Sequence, residues 1–369
     1  MPTKLRFAVV GLGHIAQIAI LPGFLHTKES QLVALVSSDK KKLKVLGKKY
    51  GVKNLYSYEL YDHLLKSGKI DAVFIALPNH LHKDFTIRAA RAGIHVLCEK
   101  PMAVTSEECR EMIQACEKSK IKLMIAYRLH VEESHLKTIQ LIHTERKLGD
   151  LKIFQSIHCQ TVRLQNIRTL PVSQGGGPTY DIGIYDINAA RYIFRDEPIS
   201  LFAQSSCSEQ WPLDDVEETM SVTLNFPGGR IASIIFSFGA FNSDTFRIIG
   251  TKGELSLDPA YTYLGAKTLK GMIRNKSKTW KFQARDHFAG ETDYFSNCVL
   301  NNSQIEPSGQ EGLADIRIIE AILESAQTGK VIKLPKTSKT KRPKITQKIN
   351  RPKAKKTKLV HVKPPSVSR

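Results

Sequence analysis

Cysteine is sparse in this 369-residue chain, and its six copies are widely spaced. They form no C-x-x-C pair and no dense framework of the kind that holds small secreted domains together. This spacing excludes a disulfide scaffold as the basis of the fold and favours reduced thiols in the cytosol. The sequence therefore predicts a cytoplasmic protein whose cysteines are small buried hydrophobic side chains.

Long apolar runs are also missing. The apolar stretch that follows "MPTKL" ends in glycines after a few residues, which is too short for a signal peptide or a membrane span. The chain has no internal repeat and no ligand cluster typical of a metal site. We therefore expect no export segment, no membrane association and no metal. Hydrophobic residues make up 41% of the chain, enough for a sizeable core in two domains.

Acidic residues are absent from the C-terminal segment. Residues 336–369 hold 13 Lys or Arg and neither Asp nor Glu, whereas the remainder of the chain is only mildly basic. A Lys/Pro-rich segment with few large apolar residues buries too little surface to offset its ordering entropy. We predict a disordered basic tail over 336–369. It is either merely solvated or a weak binding site for polyanions such as RNA.

Short apolar runs alternate with helix-length amphipathic segments from Leu5 to Tyr127. The runs are "LRFAVV", "QLVALV", "AVFIAL", "HVLC" and "KLMIAY". This alternation predicts a parallel sheet covered by helices, and we assign residues 1–128 to an α/β Rossmann domain. Thr105, followed by Glu108, predicts a helix that starts with a capping box.

The pattern changes after about residue 150. Four segments, "LKIFQSIHCQTV", "SVTLNF", "RIASIIFSF" and "TFRIIGTKGELSL", indicate antiparallel strands joined by short turns. A helix is predicted from Thr179 to Phe194, and "QEGLADIRIIEAILESAQTGK" predicts a final amphipathic helix. Residues 129–335 are therefore predicted to form an α+β domain with a large, mainly antiparallel sheet.

Three motifs follow predicted strands of the first domain, where ligands bind in open α/β sheets. "VVGLGHIA" (Gly11, Gly13, His14, Ile15 and Ala16) is typical of a pyrophosphate-binding turn. "ALPNHLH" supplies Leu77, Pro78, Asn79 and His82, and "CEKP" supplies Glu99 and Lys100. Cofactor choice is expected after the second strand, where "SSDKKKLK" offers Ser37, Ser38 and Lys42 to a 2′-phosphate. Asp39 would instead suit the ribose of NAD, and we favour NADP.

A fourth motif, "GGGPTYDIGIYDIN", opens the predicted helix of the second domain. Asp181 and Tyr185 lie four residues apart, so both side chains share one helical face. A phenol is a poor base at neutral pH unless a neighbouring cation favours its deprotonated form. The alternative is that Asp181 merely starts the helix and Tyr185 packs in the core.

Together these motifs resemble the glucose–fructose oxidoreductase/inositol dehydrogenase (Gfo/Idh/MocA) family over about residues 5–335. The branch that is most similar contains glucose–fructose oxidoreductase, NADP-dependent xylose dehydrogenases and dihydrodiol dehydrogenases, through "CEKPMA", "LMIAYRLH", "GGGPTYDIGIYDINAARYIF" and the final helix. The resemblance implies a Rossmann domain followed by an open-faced sheet domain. It also implies homo-oligomers that pair through those sheets.

The resemblance also implies residue roles. Lys100 would lie beside the nicotinamide and the reacting hydroxyl, Asp181 would contact the substrate, and Tyr185 would transfer the proton. Arg128 would contact cofactor and substrate, and Tyr127 the substrate, with His130 as a further candidate. Ser37 and Lys42 match positions that hold the 2′-phosphate. Asn188 stands where many members of the family have an acid, which argues against an inositol-type site.

The sequence thus predicts an NADP(H)-dependent oxidoreductase that acts without metal on a sugar-like hydroxyl, most simply C1 of an aldose, to give a lactone. Lys100 provides the cation that the phenol of Tyr185 needs. Two alternatives stay open. One is a trans-dihydrodiol dehydrogenase with a more apolar pocket, and the other is a non-catalytic NADP-binding sensor that engages nucleic acid through its tail.

Overall fold

The computed structural model describes residues 4–336, 342–355 and 357–365. The chain divides into two compact units, which are described separately. The first runs to Glu132 and also contains Arg285–Leu313 and Gln347–Pro364. The second contains Glu133–Ala284, the described part of Ala314–Thr346, and Pro365. The predicted division at 128 lies near the first boundary, but the predicted continuous domain 129–335 is interrupted.

The first unit contains a six-stranded parallel sheet with the order β3-β2-β1-β4-β5-β6. Its strands are β1 (Leu5–Val10), β2 (Ser30–Val36), β3 (Asn54–Tyr56), β4 (Ala72–Ile75), β5 (His95–Glu99) and β6 (Leu123–Ala126). This is the strand order of a dinucleotide-binding fold, whose ligand site lies at the carboxyl ends of the strands. The predicted Rossmann domain is confirmed.

Helices alternate with these strands. They are α1 (Leu21–Phe24), α2 (Lys40–Tyr50), α3 (Tyr61–Leu65), α4 (His82–Arg91) and α5 (Ser106–Lys118). The predicted capping box is present at the start of α5, where the Thr105 side chain accepts from the Glu108 backbone and the Glu108 carboxylate accepts from the Thr105 backbone. Local sequence is sufficient here because both partners lie within one helical turn.

Helix α8 (His287–Leu300) also belongs to the first unit. The sequence analysis did not predict this helix. The buried carboxylate of Asp293 accepts hydrogen bonds from the backbone N–H groups of Lys28 and Glu29, at 2.9 and 3.0 Å. The ring of Phe295 lies 5.9 Å from that of Phe7 in β1. These partners are more than 250 residues away along the chain, so periodicity could not reveal them.

The second unit contains a nine-stranded sheet with the order β14-β13-β12-β11-β7-β10-β9-β8-β15. Its strands are β7 (Leu151–Cys159), β8 (Ser200–Ser206), β9 (Thr219–Phe226), β10 (Arg230–Ser237), β11 (Ser243–Gly250), β12 (Gly253–Asp258), β13 (Lys267–Ile273), β14 (Lys276–Phe282) and β15 (Ile332–Lys333). β7 and β10 pair in parallel, and the other described pairs are antiparallel. The predicted α+β unit with a mainly antiparallel sheet is confirmed.

The two faces of this sheet differ. Helix α7 (Ile184–Phe194) packs against β7 and β10 on one face, and α6 (Glu133–Ile139) packs against β13. The opposite face presents isoleucines that are 38–43% exposed in two adjacent strands. These are Ile153 and Ile157 of β7, which lie beside Ile231 and Ile235 of β10. Helix α9 (Gly309–Thr328) begins in the first unit and ends in the second.

The described parts of the C-terminal segment, 342–355 and 357–365, make contacts with the rest of the chain that the prediction of a disordered tail over 336–369 did not include. The Arg351 guanidinium binds the Asp293 carboxylate at 2.6 Å, and the Asp286 N–H donates to the Arg351 carbonyl at 3.2 Å. The Arg342 guanidinium binds Glu197 in the second unit. Composition does not reveal these contacts because the acidic partners lie elsewhere in the chain. Residues 337–341, 356 and 366–369 lie outside the described residues.

The predictions about the cysteines and about membrane spans can be compared with the described residues. All six cysteines are free thiols; five are buried, as predicted, and Cys207 is exposed. Among the described helices, none combines the length and the apolar character needed to cross a bilayer.

Candidate functional site

The glycine turn directly follows β1. Gly11 has φ +94°, and a Cβ at this residue would lie 2.4 Å from the carbonyl oxygen of Ala76, so only glycine fits. A Cβ at Gly13 would have no neighbour within 4 Å. His14 and Ile15 are half-buried, and Ala16 begins a wide helical turn (Ala16–Ile20). This open backbone fits a pyrophosphate, which approaches N–H groups closely at such turns.

The end of β2 holds the residues expected to choose the cofactor. Ser37 is buried, Ser38 is exposed, and the Lys42 ammonium lies 4.0 Å from the Asp39 carboxylate. Asp39 caps α2 by accepting from the Lys42 N–H at 2.9 Å. That hydrogen bond and the neighbouring His361 lower the pKa of Asp39. The carboxylate is thus already engaged, which weakens the alternative that it binds the ribose of NAD.

The ends of β4 and β5 carry the next predicted residues. Leu77 is buried, Pro78 and Asn79 are half-buried, and Lys100 directly follows β5 and is half-buried. His82 differs from its predicted role in contacting the cofactor. It is fully buried, and its ring nitrogens lie 2.9 Å from the carbonyl oxygens of Pro101 and Leu77, while burial lowers its pKa. The ring thus lies between the loops that follow β4 and β5, and its neutral form donates to only one of the two carbonyl oxygens.

A buried acid beside Glu99 was missed by the sequence analysis. Glu291 lies in α8, and neither of its carboxylate oxygens has a hydrogen-bond partner among the described residues. Burial, and next the nearby Glu99, raise the pKa of Glu291 well above its usual range, whereas Arg128 opposes the shift. The Arg128 guanidinium also lies 3.3 Å from Nδ1 of His287. No local motif marks Glu291, because it enters this cluster from α8.

Tyr127 and His130, predicted from "YRLH", are buried within the first unit. Their rings stack with centroids 5.5 Å apart. Nδ1 of His130 lies 2.6 Å from the carboxylate of Glu306. His130 therefore has a packing and hydrogen-bonding role, and a direct role in the site has no support from its surroundings.

Asp181 and Tyr185 lie on one face of a helical run, as predicted. A wide turn (Thr179–Gly183) leads directly into α7, and in the run from Thr179 to Phe194 these two are the half-buried residues while the others are buried. Gly177 precedes the turn with φ +96°, a conformation that favours glycine. The half-buried carboxylate of Glu217 accepts from the Thr179 N–H at 3.2 Å and fixes this start.

Two polar residues that the sequence analysis missed hold the Asp181 carboxylate. Nε of Arg168 donates to Oδ2 of Asp181 at 2.6 Å, and Nε2 of Gln160 donates to the same oxygen at 2.8 Å. Gln160 directly follows β7, and Arg168 lies in the loop before the glycines. A carboxylate held in this way is oriented and charge-compensated, so it is suited to binding hydroxyl groups and poorly suited to being a free base.

The ring of Tyr185 lies at the edge of a buried polar and aromatic cluster. Its centroid is 6.2 Å from that of Tyr261 and 6.1 Å from that of His158. Ser156 and His158 bind the buried Asp186, whose pKa is raised by burial. The signal for this cluster was present in the sequence but was not used. Ser156 and His158 lie on one face of β7, where a core strand would have apolar residues, and Gln160 continues this alternation just after the strand.

Asn188 has a structural partner in the second unit. Its amide donates to the buried carboxylate of Asp315 at 2.9 Å, and Asp315 also binds the Arg191 guanidinium at 2.6 Å. In the described part of the chain, no group of three or more His, Cys, Asp or Glu side chains is arranged to hold a metal ion.

Comparison with known families agrees with this geometry. Residues 5–127 match the model of an oxidoreductase family with an NAD-binding Rossmann fold, and residues 136–256 match the GFO/IDH/MocA C-terminal domain. The chain belongs to the Gfo/Idh/MocA oxidoreductase family. The predictions of family, fold and enzyme class are confirmed.

Among solved structures, this Gfo/Idh/MocA chain is similar to an aldose–aldose oxidoreductase from Caulobacter crescentus complexed with glycerol. The two are 36% identical with a TM-score of 0.86, over 90% of this chain and 100% of the other. A D-xylose 1-dehydrogenase [NADP(+)] from Haloarcula marismortui is 28% identical over 89% of this chain and 93% of its own length. A trans-1,2-dihydrobenzene-1,2-diol dehydrogenase from Xenopus laevis is 26% identical over 85% and 92%.

Proposed function

We propose that this protein is an NADP(H)-dependent oxidoreductase that oxidises an aldose at C1 to its lactone. The observation that carries this proposal is the pair of half-buried residues Asp181 and Tyr185 on one helical face, with Arg168 and Gln160 bound to the carboxylate. A phenol beside an oriented polar group is suited to taking a proton from one hydroxyl while neighbouring hydroxyls are held. The aldose–aldose oxidoreductase and the xylose dehydrogenase support the substrate class.

In this proposal the cofactor is held by the first unit. The glycine turn receives the pyrophosphate, and Ser37 and Lys42 receive a 2′-phosphate, with Ser38 beside them. Glu99, Lys100 and Arg128 face the nicotinamide half. A nicotinamide dinucleotide, when bound, supplies the carbon that accepts or returns a hydride.

The acid–base step is assigned to Tyr185. In the oxidation direction its phenolate oxygen takes the proton of the substrate hydroxyl, while the hydrogen on the same carbon leaves as hydride and a C=O bond forms. Lys100 stabilises the phenolate by its positive charge. Asp181 does not take the proton; it accepts hydrogen bonds from neighbouring hydroxyls and orients the ring. In the reverse direction, Tyr185 returns the proton to a carbonyl oxygen.

NADP is favoured over NAD by the surroundings of β2. A carboxylate that binds the ribose of NAD must accept from its hydroxyls, but Asp39 accepts from the Lys42 backbone and pairs with His361. Cations near the end of this strand instead suit a phosphate.

A trans-dihydrodiol dehydrogenase is the second candidate, and a relative carries that name. Arg168 and Gln160 make the surroundings of Asp181 polar, which favours a polyhydroxylated substrate over an aromatic diol. A non-catalytic sensor is disfavoured because it would have no use for Lys100 together with Tyr185.

Two proposals concern partners. The exposed isoleucines of β7 and β10 form an apolar strip on the open face of the sheet, and we propose that a second copy of the chain covers it. Analytical ultracentrifugation of the Ile153→Glu variant should show dissociation, and an unchanged oligomer would place the interface elsewhere. Weak binding of polyanions by the basic segment stays a prediction, and its affinity should fall steeply with salt.

The test of the function is absorbance at the reduced-nicotinamide band. Purified protein and NADP are mixed with a panel of aldoses and diols. The proposal expects turnover with an aldose and formation of a lactone. Turnover restricted to aromatic diols would favour the second candidate, and NADP binding without turnover on any member of the panel would favour the sensor.

A further inference from the structure

Residues 357–361 of the C-terminal segment contact the turn that follows β1; we name them the C-terminal strap. The Thr357 hydroxyl donates to the Gln17 carbonyl at 2.8 Å. The Gln17 side chain forms two hydrogen bonds with the backbone of Val360, donating at 2.9 Å and accepting at 2.8 Å. The same buried amide donates to the Leu12 carbonyl in the glycine turn at 3.0 Å. Gln17 therefore connects the strap directly to the pyrophosphate-binding turn.

The other end of the strap reaches the end of β2. Nδ1 of His361 lies 3.1 Å from the carboxylate of Asp39. His361 has a left-handed backbone with φ +50°, and histidine is among the residue types that adopt this conformation more often than most. The strap thus spans the two loops to which the proposed function assigns the pyrophosphate and the 2′-phosphate.

Helix α8 binds the residues that precede the strap. Arg351 donates from Nε to the buried Asp293 carboxylate at 2.8 Å. The residues that follow are basic and partly exposed, including Lys353 and Lys358. A ligand that contacts the docked strap would stabilise its docked form.

The contact between the strap and Asp39 changes the charge that a bound cofactor would meet at the end of β2. A carboxylate two residues beyond Ser37 would repel a 2′-phosphate unless cations or N–H donors offset it. Lys42 lies on one side of Asp39, and His361 adds a second donor from the strap. The strap can thus make an acidic position, which in this fold favours NAD, compatible with NADP.

We propose that the C-terminal strap is part of the NADP site, with His361 as a specificity-determining residue for the 2′-phosphate. This proposal deepens the proposed function and rests on it. When the cofactor is bound, the strap holds Asp39 away from the phosphate and closes over the glycine turn through Gln17. Cofactor affinity and docking of the strap are then linked, so each stabilises the other.

Full-length His361→Ala tests this proposal against full-length Lys353→Ala. The control removes a cation from the same segment, between the Arg351 anchor and the strap. Isothermal titration calorimetry measures binding of 2′,5′-ADP, which has the 2′-phosphate, and of 5′-AMP, which lacks it. Loss of a hydrogen bond to a charged group should weaken 2′,5′-ADP about 5- to 20-fold in His361→Ala. Binding of 5′-AMP should not change, and Lys353→Ala should bind both as wild type does.

Limited trypsin digestion gives a second readout, since the segment is rich in Lys and Arg. In the wild type, 2′,5′-ADP should slow cleavage after Lys353 and Lys358, whereas 5′-AMP should not. Thr357→Val, which removes the hydrogen bond to Gln17, should reduce this protection. Faster cleavage with 2′,5′-ADP would mean that the strap competes with the nucleotide, and would overturn the proposal.

Equal binding of 2′,5′-ADP by wild type and His361→Ala would also overturn it, while leaving an NADP-dependent enzyme intact. Failure of the proposed function looks different. It would appear as no turnover with any aldose of the panel, or as failure of NADP itself to bind the wild-type protein, and neither result depends on His361.

Discussion

The nucleotide-binding loops of the first unit are shaped mainly by backbone, whereas the Asp181–Tyr185 region of the second unit is shaped mainly by side chains. The first is shaped by the backbone: Gly11 has φ +94°, and His82 lies against the backbone carbonyl oxygens of two loops. The second is shaped by side chains, because Asp181 is held by Arg168 and Gln160 from separate segments. Backbone-built sites leave motifs in the sequence, whereas side-chain-built sites leave isolated residues.

The comparison predicts that damage to the second region lowers turnover while cofactor binding survives. Tyr185→Phe keeps the ring and removes the hydroxyl, so kcat should fall about 10²- to 10⁴-fold, the usual contribution of a positioned base. Stopped-flow and steady-state kinetics, with NADP titrated by fluorescence, measure both effects. Near-normal turnover by Tyr185→Phe would show that Tyr185 does not transfer the proton.

The Lys100→Met variant tests whether a residue of the first unit takes part in the proton-transfer step. We expect kcat to fall about 10- to 100-fold and the remaining activity to move to higher pH, because the phenol would lose a stabilising cation. A pH–rate profile is the measurement, and Lys118→Met, at an exposed position of α5, is the control. With Tyr185→Phe, the combined loss should be smaller than the sum of the two barriers, since both serve one step.

Gly11→Ala and Gly13→Ala separate folding from binding in the backbone-built region. At Gly11 a Cβ would meet the Ala76 carbonyl oxygen, so Gly11→Ala should lower the free energy of unfolding by about 2–4 kcal/mol. At Gly13 the space is open, so Gly13→Ala should keep wild-type stability and lose affinity for NADP. Urea unfolding and calorimetry test the pair, and equal stability of the two variants would contradict it.

Lys42→Ala tests a side chain within the backbone-built region. It should weaken NADP by about 1–3 kcal/mol and leave NAD nearly unchanged, because only NADP presents a 2′-phosphate. Lys41→Ala, at the exposed neighbouring position, is the matched control. Equal losses for both cofactors would return Asp39 to consideration as the ribose ligand.

Arg168→Met should have the smallest effect of the five. Removing the guanidinium frees the Asp181 carboxylate to reorient, so we expect KM for the sugar to rise by the equivalent of about 1–2 kcal/mol with a smaller change in kcat. Arg168→Lys keeps the charge and should recover part of the loss. A kcat effect as large as that of Tyr185→Phe would show that Arg168 acts in the chemical step.

The sequence by itself determined the family, the parallel sheet of the Rossmann domain, the glycine turn, the capping box of α5 and the shared face of Asp181 and Tyr185. Each of these depends on residues within one turn, one strand or one repeating pattern, so local chemistry is enough. The contacts of the basic segment were not predicted because its partners, such as Asp39 and Asp293, lie far away along the chain.

Only the tertiary structure decided which side chains meet. It placed α8 in the first unit, brought Glu291 near Glu99, and set Gln160 and Arg168 on Asp181. It also made His82 a link between two loops. Such contacts join groups from separate segments, and their free energy exists only after the chain has closed the intervening loops. For that reason no periodicity or motif in the sequence predicts these contacts.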